Sequence, residues 1–373
     1  MTFSIADDYP AAWRRERDLP LLASHRWHRA MRGRLDGAAC WFSELDGDRL
    51  AAGLAGFLVP GADAYPYGSL HAPLLAPDTP FGDDEVRRVL RGRPVPAEAV
   101  LPSLVLTYPG YATFAVGRRA HDSRALLTDI VRWAGERGVA AVTLLYAETG
   151  GPLATTAQDL GFAAVPLTCD SWLDVPAGGF EQLVAGLDGH RRRRVRAERR
   201  SIIAGGLRTS LVTRFDAALL GRFGRLRAAH RHRYGLPADV GAETDRLTRL
   251  VRELAGAASA TVVTAPDGAL LSFALQARDA DVWHEVCGGT DHADGRSRFA
   301  YFEATFYGPV DAAGPLGVRR ISFGIAAERA KLHRGARLVP LSALVLGLTP
   351  AARAAVDVIR AAWSARRRAE SAA

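Results

Sequence analysis

Between Asp281 and Leu341 the chain concentrates residue types that move protons and hold anions: DVWHEVCGGTDHADGRSRFAYFEATFYGPVDAAGPLGVRRISFGIAAERAKLHRGARLVPL. In DVWHEVC, strand alternation places Trp283, Glu285 and Cys287 on one face and Val282, His284 and Val286 on the other. A carboxylate beside an indole and a thiol is partly desolvated, and desolvation raises its pKa toward that of a working base. Glu285 is therefore the candidate base, and Trp283 a candidate wall of the substrate site. His284 shares the apolar face, where a satisfied core histidine is the ordinary role.

The glycine-rich loop GGTDHADGRSR runs straight into RFAYFEATFYG. A helix that starts after such a loop offers free backbone amides to an anion. Asp291 and Arg298 are the candidate binding groups there, and Tyr301 a candidate proton donor to a leaving group. The competing reading is an aromatic core stripe, because Phe299, Phe302, Phe306 and Tyr307 share the segment. Downstream, Ser322 and Arg334 join the candidate binding residues. From the first half, the Tyr65–His71 loop adds Tyr67; the competing reading there is a plain surface loop. His230, His232 and Tyr234 do not make a metal site, since a spacing of two on a helix splays the histidines apart and no third ligand is near.

These groups match what acyl transfer to an amine requires: a base for the ammonium, donors for the oxyanion, and a proton for the leaving group. Direct transfer needs no nucleophilic side chain. The sequence has no GxSxG and no evident Cys–His arrangement. Neither GxGxxG nor GxxxxGK occurs, which excludes the common dinucleotide and P-loop signatures.

The elements that must position these groups read as follows. Residues 11–35 are expected to be helical and amphipathic. Residues 39–60 form two strands about Asp46-Gly47-Asp48, and 61–80 is a long Pro- and Gly-rich loop. A helix near 82–92 precedes strands at 101–110 and 111–117, and SRALLTDIVRWAGERG is a helix closed by Gly138. Strand, helix and two further strands, GFAAVPL and WLDV, complete the first half. After the linker VPAGG come one or two helices over 180–206, a strand, helices over 216–235 and 243–256, and a hairpin about Pro266-Asp267-Gly268. A basic helix ends the chain.

The halves repeat. GVAAVTLLYAETGGPLATTAQDLGFAAVPL from Gly138 parallels GVRRISFGIAAERAKLHRGARLVPL from Gly317. Each begins Gly-Val, passes through strand and helix to a glycine (Gly161, Gly335), and reaches Val-Pro-Leu four residues later. At 373 residues two domains are expected, set at 1–175 and 176–373. Duplication of one unit predicts an α+β, mixed-sheet fold with a ligand cleft between the copies. The first copy lacks a counterpart of Lys331 and of the glycine loop, so the second is the reacting half.

A strand, a short helix, Gly-Phe and a final strand, as in TTAQDLGFAAV, resemble the end of the GNAT (Gcn5-related N-acetyltransferase) fold. A double copy with the arginine-rich HRRRRVRAERR and a late Lys-x-x-Arg-Gly (Lys331 to Gly335) resembles the FemAB-like branch. The resemblance covers about residues 40–345. It implies two tandem GNAT-like domains, an amide-forming acyltransferase, and a lysine beside the cleft, here Lys331, able to hold a phosphate or stabilise an oxyanion. It implies acyl-coenzyme A, a carrier-protein thioester or aminoacyl-tRNA as co-substrate, no tightly bound cofactor or metal, and a small-molecule or peptidoglycan-type amine as acceptor. The Arg/Gln-x-x-Gly-x-Gly/Ala fingerprint of coenzyme A binders is absent, and the longer, more acidic 288–298 loop stands nearest to it.

Net charge is +8, carried nearly all by arginine, with seven in residues 190–200. That run either meets a phosphate-bearing partner or is a solvated helix face. It supports the alternative of a non-catalytic RNA- or nucleotide-binding module; a structural partner in a biosynthetic complex is a third reading. Cys40, Cys169 and Cys287 form no CxxC pair, which fits a reducing cytoplasm. The N-terminus shows no apolar signal core, and no apolar run reaches the roughly 18 residues of a membrane span.

Overall fold

A computed structural model describes residues 1–33, 37–61 and 68–372, with side chains through 364. Among them the strands, in chain order, are β1 (Thr2–Ala6), β2 (Ala38–Asp46), β3 (Arg49–Val59), β4 (Ser103–Leu106), β5 (Ala141–Glu148), β6 (Ala163–Asp174), β7 (Arg208–Val212), β8 (Ala258–Thr264), β9 (Leu270–Asp279), β10 (Val282–Thr290), β11 (Arg320–Ser322) and β12 (Arg337–Gly347). The fold is α+β with mixed sheets.

The chain forms two compact units, Met1–Cys169 with Val339–Ala373, and Asp170–Leu338. The tail that the sequence assigns to the second domain thus belongs to the first. The cause is pairing and packing: β12 lies antiparallel to β5, and the helix Pro350–Ala372 packs on the helix Asp84–Gly92, burying Ile359 and Trp363.

The first unit's sheet runs β1-β2-β3-β4-β5-β12 and the second's β6-β11-β10-β9-β8-β7. Each has one parallel pair, β4 with β5 and β10 with β11, and is antiparallel elsewhere in its described pairings. Leu104, Leu106, Leu126, Ile130, Val142 and Leu344 centre the first unit's core. Trp283, Phe306, Tyr307, Ile321 and Phe323 centre one core of the second.

The repeat is visible in the backbone. Gly138 and Gly317 enter the copies at φ 69° and 70°, and Gly161 and Gly335 close the helices at 90° and 91°. Left-handed φ is what a residue just past a helix end adopts, and glycine adopts it without a Cβ penalty. The closing bonds match too: Phe162 N–H donates to Ala157 O at 3.1 Å, and Ala336 N–H to Lys331 O at 3.2 Å.

Four expectations are corrected. Residues 11–35 are not one helix but the pieces Ala11–Arg15, Leu21–Ala23 and His25–Ala30, because Pro20 cannot donate to a continuing helix. The segment 101–117 keeps only β4 as a strand; Tyr111 adopts φ 64°, and only isolated bridges follow. GFAAVPL and WLDV are one strand, β6, because the polar residues between them pair: Ser171 N–H donates to Gly324 O and Phe323 N–H to Ser171 O. β1, unforeseen, pairs with β2. The hairpins β2–β3 and β8–β9 form where expected.

Candidate active site in the second unit

β10 is hydrogen-bonded on both sides at its start and on one side at its end. It pairs with β11 only from Val282↔Arg320 to His284↔Ser322, while pairing with β9 continues to Thr290 with a register shift between Glu285 and Cys287. Bulges of this kind re-aim side chains beside functional sites. Glu285 is the first residue past the last β10–β11 pair. Its surface is half-buried, yet the protein around it desolvates the carboxyl and pushes its pKa up to about 7, against the opposing pull of Lys331 and Arg227. A carboxylate that titrates near neutrality is suited to proton abstraction.

Lys331, the only lysine in the sequence, lies on the helix Glu328–Leu332 and is 5% exposed. Its Nζ donates to three backbone carbonyls, those of Phe323 (2.9 Å), Gly324 (2.8 Å) and Ile325 (2.9 Å). Burial lowers its pKa, opposed by Glu285, Asp170 and Glu328. The ammonium therefore pins the turn that follows β11, where Gly324, Ala326 and Ala327 all have positive φ (68°, 68° and 52°). Two successive alanines in that region carry strain, which persists only where surrounding contacts over-determine it.

Asp170, at the second unit's N-terminal edge, is the acid that the sequence reading missed. Burial raises its pKa, while hydrogen bonds from Trp172 and Ser322 and the charge of Lys331 lower it. Ser322 Oγ donates to Asp170 at 3.2 Å, so this candidate binding hydroxyl is internally engaged. The signal lay in TCDS, an acid inside a strand-like run.

Tyr301 follows the loop, on the short helix Ala300–Phe302 that leads into a π-helical turn, Glu303–Tyr307; such turns recur at functional sites. Burial pushes the phenol well above its usual range, with Glu285 adding to the rise. Its ring stacks on His230 at 5.7 Å, and His230 Nδ1 is 3.1 Å from His292 Nε2. Burial, with Arg227 and His292, lowers the His230 pKa to about 4. Arg227 donates to Gly288 O at 2.8 Å, and its buried Nε has no hydrogen-bond partner among the described residues. Lys331, Glu285 and Tyr301 are thus electrostatically coupled around the end of the β10–β11 pairing, with Asp170, Arg227 and His230 beside them.

The other candidates fall elsewhere. Trp283 is 1% exposed and packs in the core, so it backs Glu285 rather than lining a site. His284 is a core histidine, set edge-on to Trp172, with burial lowering its pKa to about 4. Asp291 shapes the loop, its Oδ1 accepting from Ala293 N–H (3.0 Å) and Asp294 N–H (3.3 Å). Arg298 is exposed and lies 5.1 Å over Phe299. Arg334 is 3% exposed and fully engaged: Nη2 meets Glu198 at 2.7 Å, Nε donates to the Tyr307 hydroxyl at 3.0 Å, Nη1 to Ala330 O at 2.8 Å. It is a structural cation, not a free substrate clamp. Tyr67 lies outside the described residues.

Above the helix Glu328–Leu332 is an open basin of about 520 Å³, lined by Arg194, Phe302, Arg329 and His333 among others. Partial burial and the charges of Arg191, Arg194, Arg329 and Arg334 lower the His333 pKa. Four of the seven arginines in the run are held in ion pairs. Arg191 pairs with Asp188, Arg194 with Glu198, Arg196 with Glu181, and Arg199 with Glu303 and Asp311.

No protein-family model matches the chain, and no curated protein sequence matches it. Solved structures do. FemX aligns over 90% of this chain and 94% of its own at 12% identity, with TM-score 0.57. L-PGS from Bacillus licheniformis aligns over 69% and 81% at 14% identity, with TM-score 0.49. A tandem GNAT protein from the clavulanic acid biosynthesis pathway aligns over 85% and 86% at 14% identity, with TM-score 0.45. The chain shares the fold of FemX. Among the described residues, no helix is long and apolar enough to cross a membrane.

Proposed function

We propose that the protein is an amide-forming N-acyltransferase that passes an activated acyl or aminoacyl group directly to an amine. The observation that carries this reading is Glu285, titrating at about 7 just past the last β10–β11 pair with the buried ammonium of Lys331 in its field. In the proposed mechanism Glu285 takes a proton from the acceptor ammonium. The freed amine attacks the acyl carbonyl, and the oxyanion that forms is favoured by the fixed positive charge of Lys331. The three Lys331 N–H bonds go to carbonyls, so its contribution is field and loop geometry rather than a direct donor bond. As the tetrahedral intermediate collapses and the bond from the acyl carbon to the leaving group breaks, Tyr301, kept protonated by burial, gives its proton to the leaving group and takes back the surplus proton of the attacking nitrogen.

The donor in this reading carries phosphate, because the basin on the helix that bears Lys331 presents Arg329 and His333. Aminoacyl-tRNA, acyl-coenzyme A and a carrier-protein thioester all meet that description, with a peptidoglycan precursor or small amine as acceptor. The RNA-binding alternative leans on the arginine helix, whose ion pairs already employ Arg191, Arg194, Arg196 and Arg199. The test is to incubate purified protein with each donor class and a panel of amines and look for the amide by mass spectrometry. Product with one donor, lost in Lys331→Met, is the expected result. No product with any donor, alongside salt-dependent RNA binding, would leave the alternative standing.

A further inference from the structure

We infer that Asp170 is a positioning residue for Lys331. It holds the turn after β11 from the β6 side and supplies the lasting countercharge to the ammonium bound there. Its consequence for catalysis rests on the transfer reading above; the network itself does not.

The bonds form one continuous path inside the second unit. Asp170 lies two residues before Trp172 on β6, hence on the same face of the sheet. Trp172 is the register partner of Ser322, the last residue of β11. The Ser322 hydroxyl donates to the Asp170 carboxylate (3.2 Å) and accepts from Gly324 N–H (3.4 Å). Gly324 O in turn accepts from Lys331 Nζ (2.8 Å) and from Ser171 N–H (3.1 Å). Phe323, whose carbonyl also receives Lys331, donates its own N–H to Ser171 O at 2.8 Å. The peptide units that Lys331 holds from its helix are thus held from β6 by Asp170 and Ser171. Such double anchoring is what the positive φ of Ala326 (68°) and Ala327 (52°) requires, since strained backbone persists only where contacts over-determine it.

Charge gives Asp170 a second task. All three Lys331 N–H bonds end on neutral carbonyls, and a buried cation needs an opposite charge in its field. Three acids face it: Asp170 from β6, Glu285 from β10 and Glu328 from its own helix. In the proposed mechanism Glu285 is neutralised when it takes the acceptor's proton, just before the oxyanion forms. Asp170 stays. Its hydrogen-bonding neighbours, the Trp172 and Ser322 side chains and the Ser171 backbone, join Lys331 in favouring its ionised form against burial.

Lys331 is the only lysine in the sequence. A tag-free full chain carrying lysine isotopically labelled at Cε therefore gives one side-chain NMR resonance, whose pH titration reads this ammonium alone. Asp170→Asn keeps the size and an acceptor oxygen and removes the charge. Its lysine titration should move down by about one pH unit, a roughly tenfold loss of proton affinity, and Asp170→Glu should restore most of it. In the transfer assay, the alkaline fall of kcat/KM should move down with the lysine, a shift that a purely structural role would not produce. An unmoved lysine titration in folded Asp170→Asn would overturn the inference. Where Asp170→Asn does not fold, Glu285→Gln combined with Glu328→Gln leaves Asp170 as the remaining acid of the three. The lysine resonance should then keep one step on the acid side of neutrality, and a resonance without that step would overturn the inference equally. The titration needs no substrate, so absent transfer counts against the proposed function and leaves this test standing.

Discussion

The two units share a skeleton and differ in what they bury at matched places. Counting back from the closing glycines, Ala157 and Lys331 occupy the same helix position and accept the same bond from the residue just after the glycine. Ala157 is fully buried among Leu127, Leu153 and Phe162 in an apolar core. Lys331 is nearly as buried but brings a charge and three carbonyl partners. The parallel pairs differ likewise. β4 and β5 stay paired over four positions and are followed by the buried Thr107. β10 and β11 part after three and are followed by Glu285. Burying a charge is costly unless it is paired and bonded, so a duplicated unit keeps such groups only where they are held or used. Under the proposed function the second copy carries the reacting groups, and the first shows the same skeleton with an apolar core at the matched place.

The contrast is broken most severely by removing the second unit's internal ion cluster, which has no counterpart in the apolar core of the first. Arg334→Met leaves the buried Glu198 carboxylate with only Arg194 and the Tyr307 hydroxyl as partners, and loss of the buried pair costs up to about 3–5 kcal/mol. Urea melts read this directly. Any retained enzyme should keep the wild-type pH profile, because Arg334 supports the scaffold rather than the reacting groups. The next largest effect is at Lys331. Lys331→Met should lower transfer by up to about 10²–10³, the loss for a direct oxyanion donor, because the field of the ammonium and the turn it pins are lost together, and the reciprocal Ala157→Lys should destabilise the first unit with no gain of activity. Transfer that persists in Lys331→Met at near wild-type rate would remove the assignment.

Glu285 sharpens the same comparison through pH. Its folded pKa, about 7, lies above its reference value of 4.5, so the folded state binds the proton more tightly. The stabilisation is complete below about pH 4.5 and is lost as pH rises through about 7. Catalysis has the opposite sense: kcat/KM should rise with pH and level off above about 7, where Glu285 is an ionised base. Glu285→Gln should lower the plateau by about 10², remove that inflection, and flatten the pH dependence of stability. A rate that still inflects near 7 in Glu285→Gln would assign the base elsewhere.

Hairpins, the central helix 124–136 and the duplication were legible because turn glycines and hydrophobic periodicity are local signals. The raised pKa of Glu285 was legible from its neighbours in one strand. The parting of β10 from β11 was not, because strand divergence is set by the chain that pairs alongside. Asp170 was hidden for the same reason, since its partner Ser322 lies 152 residues away. Arg334 reads as a free cation until Glu198 and Tyr307, both on other elements, are brought to it. The arginine run reads as a polyanion surface until its carboxylate partners fold against it. Lys331 carried one further sequence signal: in a chain that otherwise uses arginine for every basic position, a single lysine marks a site where a compact ammonium is wanted.

The smallest test concerns the shared skeleton itself. Gly161 and Gly335 have nearly the same φ, 90° and 91°, so alanine imposes the same left-handed backbone cost at both, about 1–2 kcal/mol. Their surroundings differ. A Cβ at Gly161 meets nothing within 4 Å, whereas one at Gly335 comes to 2.9 Å from Leu183 Cδ1. Gly161→Ala should therefore show the backbone cost alone in a urea melt. Gly335→Ala should show that cost plus a smaller one for displacing Leu183, and a shift of the turn that Lys331 pins. A lower activity per folded molecule in Gly335→Ala, absent in Gly161→Ala, would tie the second glycine to the site. Equal effects of both substitutions on stability and activity would mean that the turn after β11 is as indifferent to its helix end as its counterpart in the first unit.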